Sequence, residues 1–280
     1  MKYDDIPPSV RSLEQRIRNL EKDAGLVQRR RIAMALVVVS QMLPEGAVKG
    51  GSAMALRYGR NTRFTRDLDA ARVKSMEKFR SDFESSLAYG WAGFTGRLVK
   101  KSPPKPAGIP SAYVMQPFEV KLDYKGRSWC TVSFELGHNE IGDTDDPEYR
   151  ISKELVELFA ELGLENPKPV PVMRSGHQIA QKLHAVSSPG SDRARDLVDL
   201  QLLVSAEEDL DFSQVATTCS RLFRYRKQQS WPPTISSGKD WPQLYEEAAQ
   251  ELDVLPTVHE ALAWTNNLIS QITSASENSL

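Results

Sequence analysis

The chain has 280 residues, with 40% hydrophobic and 26% charged, which is a globular composition long enough for one large core or two ordinary ones. Its formal net charge of −1 excludes wrapping of long nucleic acid by bulk charge, so any RNA contact must be a local patch. The two cysteines, Cys130 and Cys219, have no neighbouring Cys or His at metal-ligand spacing, which predicts reduced thiols in a cytoplasmic protein rather than a disulfide framework or a zinc site.

In chain order, the opening MKYDDIPPSV is acidic and carries prolines, unlike a signal peptide. Residues 10–43 read as two helices: SLEQRIRNLEKDAG has apolar residues at helical spacing with Gly25 as a stop, and VQRRRIAMALVVVSQML breaks at Pro44-Glu45-Gly46. The apolar run Ile32 to Val39 is too short to cross a bilayer, so it predicts a buried helix and no membrane partner. From residue 46 the pattern changes. AVKGGSAMALRYGRNTRFTRDLDAARV predicts an apolar entry, a small-residue turn, a short helix ending near Gly59 and a strand, and residues 73–90 predict a helix. KSPPKPAGIP is a proline-rich loop at 101–110, and PFEVKLDYKGRSWCTVSFELG alternates about Lys125-Gly126 as a β-hairpin. Residues 151–280 are mostly helical, with a short extended KPVPVM, a proline- and glycine-bearing loop at 231–240 and a polar tail. The expected class is α+β: N-terminal helices at 1–45, a small mixed sheet with helices at 46–150, and a helical C-terminal domain at 151–280.

Three features carry chemistry. Glycines ahead of a helix N-terminus let the backbone approach an anion, and Ser52 can add a hydroxyl donor, so Gly51 and Ser52 are candidates for phosphate binding. Asp67 and Asp69 stand two apart on a strand, so both carboxylates project from one face while Leu68 faces the core. Two such charges side by side repel, and a divalent cation relieves that cost; oxygen ligands favour magnesium or manganese. A third carboxylate is expected from Glu135 or Asp123. Glu135 is preferred because it is opposite in phase to Val132, Phe134 and Leu136. Arg63 and Arg66 flank the strand and either contact phosphate or stay solvated. The four histidines show no spacing that suggests a metal or a triad.

The segments KGGSAMALRYGRNTRFTRDLDAARV, VSFELGHNEIGD and QIAQKLHAVSSPGSDRARDLVDLQLL resemble the AbiEii/AbiGii (MenT-like) toxin nucleotidyltransferases of bacterial toxin–antitoxin and phage-defence systems. The resemblance covers residues 46–204 and implies a polymerase-β-like nucleotidyltransferase core with a helical C-terminal domain. Gly51 and Ser52 match the family's phosphate-binding pair, and Asp67 and Asp69 its metal ligands. Lys182 matches the lysine of its KLHA helix, and Asp196 an aspartate of the following helix. Glu135 stands where many relatives have Asp, and Arg195 where Lys is common.

From its own neighbours, Lys182 sits beside the stripe of Ile179, Leu183 and Val186, which suits either a surface lysine or a cation for the β- and γ-phosphates. Asp196 either complements a helix dipole or orients Lys182. The resemblance implies a magnesium- or manganese-dependent toxin that moves a nucleotide from an NTP to RNA, the tRNA 3′ end above all, and that has a cognate antitoxin. Rival readings keep the chemistry with a small-molecule or protein hydroxyl as acceptor, or keep only the fold as a binding protein. In SRLFRYRKQQ, Arg221, Arg224, Arg226 and Lys227 interleave with Phe223 and Tyr225, which suits phosphates and an unstacked base, or else a solvated helix whose aromatics face the core.

Overall fold

A computed structural model describes residues 2–21, 23–104, 114–207 and 209–277. Most of the proline-rich loop expected at 101–110 therefore lies outside the described residues. The chain divides into two compact units. The first comprises Met1–Arg60, Phe64–Asn139 and Thr144–Met173; the second comprises Asn61–Arg63, Glu140–Asp143 and Arg174–Leu280.

Among the described residues, the first unit is a mixed sheet with five helices. Helices α1 (Val10–Leu20) and α2 (Ala24–Gln41) lead into β1 (Gly46–Lys49), α3 (Gly50–Tyr58), β2 (Asp67–Arg72) and α4 (Met76–Tyr89). Strands β3 (Phe94–Lys100), β4 (Gln116–Tyr124), β5 (Arg127–His138) and β6 (Glu148–Arg150), helix α5 (Lys153–Glu161) and β7 (Val170–Val172) complete it. The strand order is β3-β4-β5-β2-β1-β7-β6. Pairs β2–β5 and β1–β7 are parallel and the others antiparallel. The expected hairpin is β4–β5, turning at Lys125 (φ 48°) and Gly126 (φ 73°), the left-handed pair that a two-residue turn of this hand requires. Gly25 does not end α1. It lies in the first turn of α2, where Asp23 caps the helix by accepting the Leu26 N–H, because an N-cap carboxylate satisfies a donor that glycine cannot.

Alternation along β5 buries Val132, Phe134 and Leu136, and α4 presents Phe79, Phe83 and Leu87 at helical spacing. Phe134 stacks on Phe79 with centroids 6.3 Å apart and meets Phe83 edge-on at 5.3 Å. Met34 to Ser40 of α2 are all buried, which is why a run of three valines stays helical: packing around the helix outweighs their strand propensity. Leu13 and Ile17 of α1 join the same core.

The second unit is helical: α6 (Ser175–Val186), α7 (Arg195–Ala206), α8 (Phe212–Arg226), α9 (Trp241–Ala249) and α10 (Val258–Glu277). Helix α8 turns Val215, Ala216, Cys219, Leu222 and Phe223 inward, and α7 buries Leu197, Val198, Leu200 and Leu203. No helix among the described residues is long and apolar enough to cross a membrane.

Candidate active site

In the first unit, β1 passes into α3 through Gly50, whose φ of +62° lies in the left-handed region. A Cβ at Gly50 would overlap Asp69 Oδ2, so glycine serves both the turn and the close approach of that carboxylate. The Ser52 hydroxyl donates to Lys49 O at 2.9 Å and accepts the Asp69 N–H at 3.0 Å, with no exposure to solvent. Its proton is thus committed to the backbone. The hydroxyl donor expected for phosphate instead ties the start of α3 to the strand bearing Asp69. Gly51 is buried in the first turn of α3, and phosphate binding there would rest on backbone N–H groups.

Asp67 and Asp69 occupy alternate positions of β2, with the buried Leu68 between them. Register then extends the row: Lys49 of β1 is opposite Asp69, and Asp69 is beside Glu135 of β5. Residues paired across strands share a face, so Glu135 is the third carboxylate of this row. Asp123 is on β4, paired with Ser128 near the hairpin turn, while Pro117 is the β4 residue opposite Glu135. Of the two candidates, Glu135 is the one on the strand that pairs with β2.

These oxygens have the chemistry for a hard divalent cation: two on one strand face, a third on the adjoining strand, and Asp67 and Glu135 exposed. Among the described residues, no three His, Cys, Asp or Glu side chains are already drawn together as a metal site.

Lys49 was not singled out in the sequence, where it is only the residue before the turn. The residue is 9% exposed, and its ammonium lies over Gly137 of β5.

In the second unit, Lys182 is buried, not at the edge of a solvated stripe. Its Nζ donates to Asp196 Oδ1 at 3.0 Å and to Asp199 Oδ2 at 2.5 Å. Arg63 grips the same Asp199, through Nε at 3.0 and 3.1 Å and Nη2 at 3.0 Å. Two cations and two carboxylates form a chain whose formal charges cancel, with Asp199 fully buried. Burial pulls the Lys182 pKa down, but Asp196 and Asp199 outweigh it and hold the pKa above the usual lysine value. Burial pushes Asp199 up, and Lys182 and Arg63 more than reverse it, leaving Asp199 below the usual carboxylate range. Arg63 is therefore committed to a carboxylate rather than solvated. Arg66 is exposed, with its guanidinium 5.6 Å from the Phe64 ring centre.

The basic helix splits in two. Arg226 turns to Glu140 Oε2 at 2.5 Å and to His184 Nδ1 at 3.3 Å, and Arg221 donates to Ile141 O at 2.9 Å. Arg224 and Lys227 are exposed and line a cavity of about 620 Å³ with Phe223, Gln228, Gln229 and Trp231. Phe223 packs into the core, so the aromatic of this surface is Trp231, whose ring meets Phe223 edge-on at 5.3 Å.

Three comparisons place this geometry among known proteins. A family model described as "Nucleotidyl transferase AbiEii toxin, Type IV TA system" matches residues 35–265. A search of curated proteins found no match. Among solved structures, the fold is similar to that of MenT4, a nucleotidyltransferase toxin from Mycobacterium tuberculosis H37Rv. That similarity has a TM-score of 0.53 and 13% sequence identity, and spans 96% of this chain and 98% of the other.

Proposed function

The chain belongs to the AbiEii family of nucleotidyltransferase toxins of type IV toxin–antitoxin systems, and from that membership we propose that it transfers a nucleoside monophosphate from an NTP to an RNA hydroxyl, the tRNA 3′ end above all. A nucleotide substrate and a cognate antitoxin accompany the family; the acceptor, the divalent cation and a part in phage defence belong to the proposal.

The observation that carries it is the row in which Asp69 and Glu135 are cross-strand partners, with Asp67 two residues before Asp69 on the same strand. In the proposed reaction an acceptor hydroxyl oxygen attacks the α-phosphorus in line. The bond to the oxygen bridging the α- and β-phosphates breaks, pyrophosphate leaves, and the hydroxyl proton passes to Asp67 or Asp69. Magnesium or manganese, held by Asp67, Asp69 and Glu135, would supply Lewis-acid stabilisation of phosphoryl oxygens. The residues themselves bind and orient. Gly50 keeps the turn clear of the Asp69 carboxylate, and Ser52 fixes the Asp69 backbone. Lys182 and Asp196 enter as residues required for turnover, on the resemblance of their helices to the family's motifs. Arg224, Lys227 and Trp231 suit a phosphate beside an unpaired base, which supports a single-stranded RNA end as acceptor.

Incubation with each α-labelled NTP, Mg²⁺ and total tRNA tests the proposal. Label in RNA supports it. Label on a small molecule or on protein replaces the acceptor, and no transfer with any NTP refutes the catalytic reading.

A further inference from the structure

Only 9% of Lys49 is exposed, and no hydrogen bond or ion pair joins its ammonium to a described residue. Its stem is packed away while its ammonium, which is not among the fully buried polar atoms, stays within reach of a group from outside the fold. The position is built for this side chain. Lys49 shares a row with Asp69 and Glu135, and its chain reaches across the sheet until Nζ lies over Gly137. A Cβ at Gly137 would stand 2.9 Å from Nζ, so a larger residue there obliges the end of the Lys49 side chain to shift. Ala71, which pairs with Gly137, is also small. An anion that met this ammonium would lie on the sheet face that carries the three carboxylates, beside the turn that starts α3.

We propose that Lys49 is a substrate-binding residue whose ammonium receives a phosphate of the nucleoside triphosphate. The inference rests on the reading of the Asp67–Asp69 face as the nucleotide site. It assigns a cation to that face from the first unit's own residues, apart from Lys182. A phosphate oxygen would accept a hydrogen bond from that ammonium and offset its charge.

The experiment measures the dissociation constant of each of the four NTPs, with Mg²⁺, for the full chain and its Lys49→Met, Lys49→Arg, Gly137→Ala and Asp69→Asn variants. Thermal melting of each runs alongside. Loss of a charge-assisted hydrogen bond predicts about ten- to hundredfold weaker NTP binding in Lys49→Met, with Lys49→Arg recovering part of it. Gly137→Ala keeps every charge and displaces Nζ, and its binding is expected to weaken at least about threefold with little change in melting. Wild-type affinity in a folded Lys49→Met overturns the inference. If Lys49→Met does not fold, wild-type affinity in Gly137→Ala overturns it instead. The wider reading fails differently: the wild type then binds no NTP, or Asp69→Asn binds every NTP with Mg²⁺ as tightly as the wild type.

Discussion

Asp199 takes two cations onto one fully buried carboxylate, and the second unit's pH response follows from it. Its pKa is depressed in the fold, so the stabilisation is present above the unfolded value of about 4 and is lost as pH falls through the folded one. Lys182 is raised, so its contribution is full below about 10.4 and is lost as pH rises through its folded value. Stability of this network should therefore be flat between those limits. Lys182→Met leaves Asp196 without its buried cation and is expected to cost about 3 kcal/mol in urea unfolding at neutral pH. An unchanged midpoint would contradict the network. His184 works on a different part of the scale. Burial first, then Arg226, holds it down to about 4, against the opposing pull of Glu140. The fold keeps it neutral, so stability should decline as pH falls from about 6.5 toward 4. Replacing it as His184→Gln should remove that limb from a melting-temperature profile.

The junction of β1 and α3 shows how an element positions a group it does not contain. Gly50→Ala places a Cβ against the Asp69 carboxylate at a left-handed φ, so it should cost about 1–3 kcal/mol and lower kcat by displacing Asp69. Calorimetry and turnover on one preparation check this; normal turnover would separate Gly50 from the site. Helix α8 carries a companion prediction. Arg224→Glu with Lys227→Glu should weaken RNA binding and flatten its salt dependence while NTP affinity stays, because both side chains line the cavity beside Trp231. An unmoved salt slope makes the helix scaffold. Elements with strong periodicity were legible in the sequence: α2, the β4–β5 hairpin and the strand of Asp67 and Asp69. Strands β3 and β6 and helix α9 were not. β3 carries Gly96 where an added Cβ would come 3.0 Å from Leu87 Cδ2, a tertiary demand with no local signature. The role of Lys49 was equally hidden. It depends on pairing with a residue twenty positions away and on a glycine in β5, and spacing along the chain encodes neither.

Across the whole chain, sequence character changes near residues 45 and 150, but the compact units do not follow that order. Helices α1, α2 and α5 share one core with the sheet, because an amphipathic helix and a mostly buried one need apolar surface to pack on. The short segments Asn61–Arg63 and Glu140–Asp143 group with the helical unit, and through them Arg63 reaches Asp199 and Glu140 reaches Arg226. Such grouping reflects contacts between residues far apart in the chain, which composition does not record, whereas the three carboxylates were legible because a strand's alternation fixes which side chains share a face. The account turns on that face. Its most direct test is transfer of labelled nucleotide to RNA by wild type and by Asp69→Asn, a change that removes one negative charge and nearly preserves shape. The account predicts robust Mg²⁺-dependent labelling by the wild type and at least about a hundredfold loss in a fully folded Asp69→Asn. Equal labelling by the two proteins would contradict it.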